Sequence, residues 1–161
     1  MAETVAVYPG SFDPITHGHM DIILRGCKLF DKVTVALVNN PSKNYLFTVE
    51  ERLDMLRNCF NNIENLEFDF FDGLLVEYVE KKEANIVVRG IRAITDFEFE
   101  LQMALMNKRL SSKFETVFLM PKEEHLYVSS RLVKEIARLK GNVSNMVHPY
   151  VVDRLQEKFW D

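Results

Sequence analysis

The chain has 161 residues, 47% hydrophobic and 27% charged, which fits one domain of ordinary globular composition and excludes collagen-like, low-complexity and disordered chains. Lysine and arginine total 20 against 24 aspartate and glutamate, a formal charge of −4. That balance argues against a general nucleic-acid binder but leaves room for a local cluster of cations around a small anion.

No apolar run approaches the roughly 18 residues of a membrane span. The first residues, Met1-Ala2-Glu3-Thr4-Val5, lack the basic start of a secretory signal. Cys27 and Cys59 lie among apolar residues at helical spacing, so free thiols are expected rather than a disulfide. The expectation is a cytoplasmic protein with neither a nucleic-acid nor a membrane partner.

Strand and helix signals alternate along the chain. Thr4 to Tyr8 reads as a short strand, stopped by Pro9 and Gly10. From His17 to Phe30, Met20, Ile23, Leu24, Cys27 and Phe30 recur at spacings of three and four, a helical stripe. Lys32 to Val38 is almost all β-branched or apolar, as expected of a strand covered on both faces. A loop follows over Asn39 to Lys43. Thr48, with Glu51 three residues on, predicts a capping box opening a helix to Cys59.

Leu66 to Phe71 predicts a strand, Leu74 to Lys82 a helix, and Asn85 to Val88 a strand running into Arg89-Gly90. A long helix is expected from Asp96 to Leu110, its faces marked by Phe97, Leu101, Ala104, Leu105 and Lys108. Thr116 to Met120 is the fifth strand. Ser129 or Ser130 can cap a helix through Leu139, ended by Gly141, and Pro149 starts a last helix over Tyr150 to Phe159. Five strands alternating with helices predict an α/β fold: a Rossmann-like, doubly wound parallel sheet with helices on both faces and a C-terminal helical segment, in a single domain over residues 1–161.

In such sheets ligands bind beyond the carboxyl ends of the strands. The first strand runs into Tyr8-Pro9-Gly10-Ser11-Phe12-Asp13-Pro14-Ile15-Thr16-His17-Gly18-His19. Neither Gly-x-Gly-x-x-Gly nor Gly-x-x-x-x-Gly-Lys occurs, which excludes the usual dinucleotide and P-loop motifs. Gly10 permits close backbone approach, Ser11 adds a hydroxyl, and the opening of the first helix favours phosphate, with His19 as a donor there. The plainer alternative is that Thr16 caps the helix and the histidines are merely exposed. A metal site at His17 and His19 is not expected, because a spacing of two puts them on different helix faces with no further ligand close by.

Lys43 follows the second strand, and Arg89-Gly90-Ile91-Arg92 follows the fourth. Two guanidinium groups around a glycine suit phosphate oxygens. The string Tyr127-Val128-Ser129-Ser130-Arg131 opens a later helix and is either a second anion site or an ordinary cap. Several cationic clusters at one sheet edge predict a ligand with several phosphates. No nucleophile elbow, catalytic triad order or carboxylate pair stands out.

Thr16-His17-Gly18-His19 resembles the (H/T)xGH signature of the nucleotidyltransferase superfamily, and Ser129-Ser130-x-x-Val133-Lys134-Glu135 resembles its second signature. The fuller run from Tyr8 to Thr16, with Pro41-Ser42-Lys43, Arg89 to Arg92 and Asp96 to Glu100, closely resembles the bacterial phosphopantetheine adenylyltransferase family over essentially the whole chain. The resemblance implies a reaction of ATP with 4′-phosphopantetheine giving dephospho-coenzyme A and pyrophosphate. It also implies Mg²⁺, a homohexamer and coenzyme A as a feedback inhibitor.

Carried over by position, His19, Lys43 and Arg92 would be catalytic. Ser11, Phe12, His19, Gly90, Ile91, Arg92, Glu100 and His125, Leu126, Tyr127, Val128, Ser129, Ser130 and Arg131 would contact ATP. Ser11, Lys43, Leu75 and Arg89 would hold phosphopantetheine. The remaining alternatives are a related enzyme acting on nicotinamide mononucleotide or glycerol 3-phosphate, and a catalytically silent nucleotide-binding regulator.

Overall fold

The computed structural model describes residues 2–160, apart from the side chains of residues 94 and 95. Five strands, β1 (Val5–Gly10), β2 (Lys32–Val38), β3 (Leu66–Phe71), β4 (Ile86–Gly90) and β5 (Glu115–Leu119), form one parallel sheet in the order β3-β2-β1-β4-β5. The helices are α1 (His17–Leu29), α2 (Val49–Cys59), α3 (Leu75–Lys81), α4 (Ile94–Leu110), α5 (Ser130–Arg138) and α6 (Pro149–Phe159).

The period of two along β1 divides the core. Ala6 and Tyr8 face a large cluster with Ile22 and Ile23 of α1, Met55 and Leu56 of α2, Val133 of α5 and Leu155 of α6. Val7 faces the opposite layer with Val76, Tyr78 and Val79 of α3 and with Phe114. Both faces are therefore covered, which is why β2 reads Val-Thr-Val-Ala-Leu without a polar side. Each fully buried Val, Leu or Ile contributes about 1.5–3 kcal/mol. Both cysteines are free, and Cys59 is buried, with its thiol pushed up to about 12 by that burial.

Several boundaries differ from those expected. β1 continues through Pro9 and Gly10, which stay in register with Ala36 and Leu37 of β2. Arg89 and Gly90 belong to β4 rather than to the loop after it, because they pair with Phe118 and Leu119. A 3-10 turn at Glu123–His125, not expected from the sequence, separates β5 from α5.

The largest difference is in α4, which begins at Ile94 rather than Asp96 and is turned inside out. Its buried positions include Glu100 and Asn107, whereas Phe97, Phe99, Leu101, Met103, Leu105 and Met106 are exposed. Phe97, Leu101 and Leu105 thus do not pack into the chain's own core. Glu100 is drawn inward by Arg89, and the rest of the helix follows its rotation.

Candidate active site

The crossovers reverse direction between β1 and β4, and a cavity of about 350 Å³ opens beyond the carboxyl ends of these two strands. Its wall is built from the β1–α1 loop, the end of β4, the first turn of α4 and the start of α5.

Thr16 caps α1: its hydroxyl accepts from the His19 N–H at 3.4 Å, and its own N–H donates to His19 Nδ1 at 3.1 Å. This is a capping box in which an imidazole replaces the usual Glu or Gln. The cap that the sequence offered as the plainer alternative is thus present, and it uses only one ring nitrogen of His19. Burial, followed by the nearby Arg92 and Arg89 guanidinium groups, pushes the His19 pKa down to about 4, so the ring is neutral at neutral pH. With Nδ1 accepting from Thr16, the ring proton belongs on Nε2, the nitrogen left for a ligand.

Phe12 stands in the left-handed region, at φ 45°, with its ring edge-on to Tyr8 and His19 at 5.3 and 5.0 Å. A Cβ at position 10 would lie 2.9 Å from that ring, so this turn requires glycine. At Gly90 a Cβ would come within 2.5 Å of Ile22 Cδ1, which accounts for the second glycine of the wall.

Arg89 Nε and Nη2 grip the Glu100 carboxylate at 2.7 and 2.6 Å, and Nη1 donates to the Pro9 carbonyl at 2.7 Å. The bidentate edge expected to meet a phosphate is thus closed on Glu100. Arg89 presents only its remaining N–H groups and its charge. Arg92 donates to Asp96 at 3.2 Å and to the Val128 carbonyl at 2.8 Å, and its exposed side chain reaches the same cavity as His19.

At α5, Ser129 caps the helix by accepting from the Leu132 N–H at 3.1 Å, and Ser130 donates to the Pro14 carbonyl at 2.7 Å. Val128, Ser129, Ser130 and Arg131 line the cavity. His125, Leu126 and Tyr127 do not: at the end of the 3-10 turn the half-buried His125 packs on His17 and Gly18, and the exposed Tyr127 faces a shallow outer depression. Ile91 also lies off the wall, its N–H bonded to the Leu119 carbonyl.

Lys43 is not in the His19–Arg92 cavity. It borders two adjoining ones. The first, about 290 Å³, shares Ser11 and Ser130 with the main cavity. The second, about 310 Å³ and mostly apolar, holds Leu74, Leu75, Phe99 and Met103 and shares Pro9, Arg89 and Glu100.

Two residues that stood in the quoted strings, but were given no role from the sequence, complete this edge. Asp13, buried in the β1–α1 loop, accepts from the N–H groups of Leu46 and Phe47 at 2.9 and 3.0 Å and pairs with Lys134 at 2.9 Å. Lys134 stands one helical turn after Ser130, a spacing of four that puts both toward the same side. That spacing, within the string that resembles the second signature, was the available signal.

A switch-point cavity flanked by two capped helix starts, with neutral imidazole and guanidinium donors, defines the nucleotidyltransferase class. Accordingly, residues 7–136 match the family model described as cytidylyltransferase-like. The chain is 52% identical over 155 residues to a phosphopantetheine adenylyltransferase of Caldanaerobacter subterraneus subsp. tengcongensis, covering 96% of this chain and 97% of the relative. It is 53% identical over 155 residues to the one of Carboxydothermus hydrogenoformans, covering 96% of each. The chain belongs to the phosphopantetheine adenylyltransferase family, as the resemblance in the sequence led one to expect. Among solved structures, Plasmodium falciparum nicotinic acid mononucleotide adenylyltransferase, complexed with NaAD, aligns with a TM-score of 0.70 at 14% identity, over 98% of this chain and 96% of that one, a likeness of fold.

Proposed function

We propose that the chain transfers the adenylyl group of ATP to the phosphate of 4′-phosphopantetheine, giving dephospho-coenzyme A and pyrophosphate in coenzyme A biosynthesis. The observation that carries this reading is that the polar His19–Arg92 cavity and the apolar one at Leu74, Leu75 and Met103 adjoin, sharing Pro9, Arg89 and Glu100. The first suits a nucleotide with its phosphates. The second suits an uncharged arm, with Arg89 on the shared wall and Lys43 at the edge of the apolar cavity for the acceptor phosphate.

In this reaction a phosphate oxygen of the acceptor forms a bond to the α-phosphorus of ATP as the bond to the bridging oxygen of pyrophosphate breaks. The attacking monoester is already anionic near neutral pH, so no general base is needed. The protein's part is alignment and stabilisation of charge on the transferring group. His19 donates from Nε2–H to that group. Arg92, Lys43 and the α1 N-terminus reduce the repulsion between the two anions. Ser11, Phe12, Gly90 and Val128 to Arg131 contact ATP, with Glu100 acting through Arg89, and Leu75 contacts the pantetheine arm. Mg²⁺ accompanies ATP: Asp96 and Glu100 are engaged by arginines, so the phosphate oxygens and water would hold the ion.

The same reading includes a cytoplasmic homohexamer in which the exposed apolar residues of α4 are covered by other copies. It includes feedback by coenzyme A, whose pantetheine arm would compete for the apolar cavity. The test is pyrophosphate release from ATP with phosphopantetheine, with nicotinamide mononucleotide as control. Release that depends on phosphopantetheine alone is expected. Equal release with both acceptors, or none with either, overturns the reading.

A further inference from the structure

Arg52 is among the most completely buried large side chains of the protein, at 1% exposure, yet no carboxylate pairs with it among the described residues. Nη1 donates to the Ser11 carbonyl at 2.9 Å, Nε to the Thr48 carbonyl at 3.3 Å, and the guanidinium lies 4.0 Å over the Tyr45 ring. A buried cation without a counter-charge is costly, and an apolar side chain would fill the same space in α2 more cheaply. What distinguishes an arginine here is the carbonyl it holds.

In a planar trans peptide the C=O and N–H point to opposite sides. With the Ser11 carbonyl drawn to Arg52, the Phe12 N–H is turned away from it, and among the described residues no protein group accepts from that N–H. Phe12 lines the main cavity. The neighbouring carbonyls are withdrawn in the same way: that of Pro9 accepts from Arg89 and that of Pro14 from the Ser130 hydroxyl. Around the Phe12 N–H three carbonyl oxygens, those of Pro9, Ser11 and Pro14, are thus engaged by donors, which leaves a local polarity that suits an anion.

We infer that Arg52 is a positioning residue: it fixes the Ser11–Phe12 peptide so that the Phe12 N–H donates to a phosphate oxygen of the nucleotide, while its buried charge favours the same anion. This inference rests on the proposed reaction for its kinetic readout, but its spectroscopic readout needs ATP alone.

The full chain is labelled with ¹⁵N-phenylalanine, the Phe12 resonance is assigned with Phe12→Leu, and ATP is added. The Phe12 amide proton is expected to move downfield. ATP that fails to bind, or that binds without moving this proton, overturns the inference whatever the enzyme's acceptor. In Arg52→Met the ATP-induced shift is expected to vanish and kcat to fall on the order of 10²-fold in protein that still melts cooperatively, with Arg52→Lys recovering part of it. A folded Arg52→Met with lowered thermal stability but unchanged kcat and an unchanged Phe12 response would mean a packing role only, and would sink the inference. If Arg52→Met does not fold, the wild-type Phe12 resonance decides. Absence of phosphopantetheine-dependent turnover with a normal Phe12 response would count against the proposed reaction and leave Arg52's role standing.

Discussion

Replacing His19 by alanine removes one donor from the reacting centre and one acceptor from the helix cap. The donor is a neutral imidazole N–H: with a pKa of about 4 the ring is protonated in only ~0.1% of molecules at pH 7. Its contribution is therefore a directed hydrogen bond and not a full charge. Loss of a single preorganised donor of this kind costs about 2.7–4 kcal/mol in the transition state, or 10²–10³ in kcat. The cap costs less. The Thr16 N–H loses its 3.1 Å acceptor, about 0.5–2 kcal/mol of stability, which a domain stable by about 5–15 kcal/mol survives.

The variant should therefore fold, with kcat down by two to three orders of magnitude and the KM for ATP changed less than about tenfold. Steady-state pyrophosphate release, with circular dichroism melts on the same preparations, measures both. Turnover within about threefold of wild type in folded His19→Ala would refute the assignment of the Nε2–H donor, because no other neutral imidazole lines the cavity among the described residues.

Three further outcomes are expected. Titrated by NMR in the ligand-free protein, the His19 ring should stay neutral until close to pH 4. Because the unfolded chain binds this proton near 6.5, stability should rise with pH between about 4 and 6.5, by at most about 3 kcal/mol, and His19→Ala should lose that dependence. A ring titrating near 6.5 would contradict the burial argument. Glu100→Gln should destabilise the fold by about 2–3 kcal/mol in urea titrations, less than for a wholly buried pair since the Arg89 side chain is 28% exposed. Replacing both partners with Arg89→Met and Glu100→Leu should recover much of this, and no loss in Glu100→Gln would show the pair to be incidental. If the proposed homohexamer forms through α4, Leu105→Arg, on its exposed side, should sediment as smaller species than wild type, and a wild-type monomer at the same concentration would remove the basis for an α4 interface.

Much of the fold was legible because it rests on local period. Lys32 to Val38 and Leu66 to Phe71 are strands over the expected residues, and Thr48 with Glu51 forms the expected capping box, at 3.2 and 2.9 Å. The site was legible where function clusters in one short string, as from Gly10 to His19. It was not legible for Arg52, to which nothing in the sequence drew notice and which is buried beneath the loop whose Ser11 carbonyl it holds. Nor was it for α4, where apolar spacing says only that residues recur and leaves open which side turns inward.

The alternation of strands and helices, the string that places His19 at the start of α1, and the resemblance to the family could all be read from the chain alone. These depend on neighbours within a few positions, whose geometry the backbone sets directly. Only the tertiary structure decided that Arg89 is closed on Glu100, that Lys43 borders separate cavities, and that His19 is neutral. Each of these depends on which distant groups are brought together and on how much water is left between them, and both are set by the packing of the whole chain.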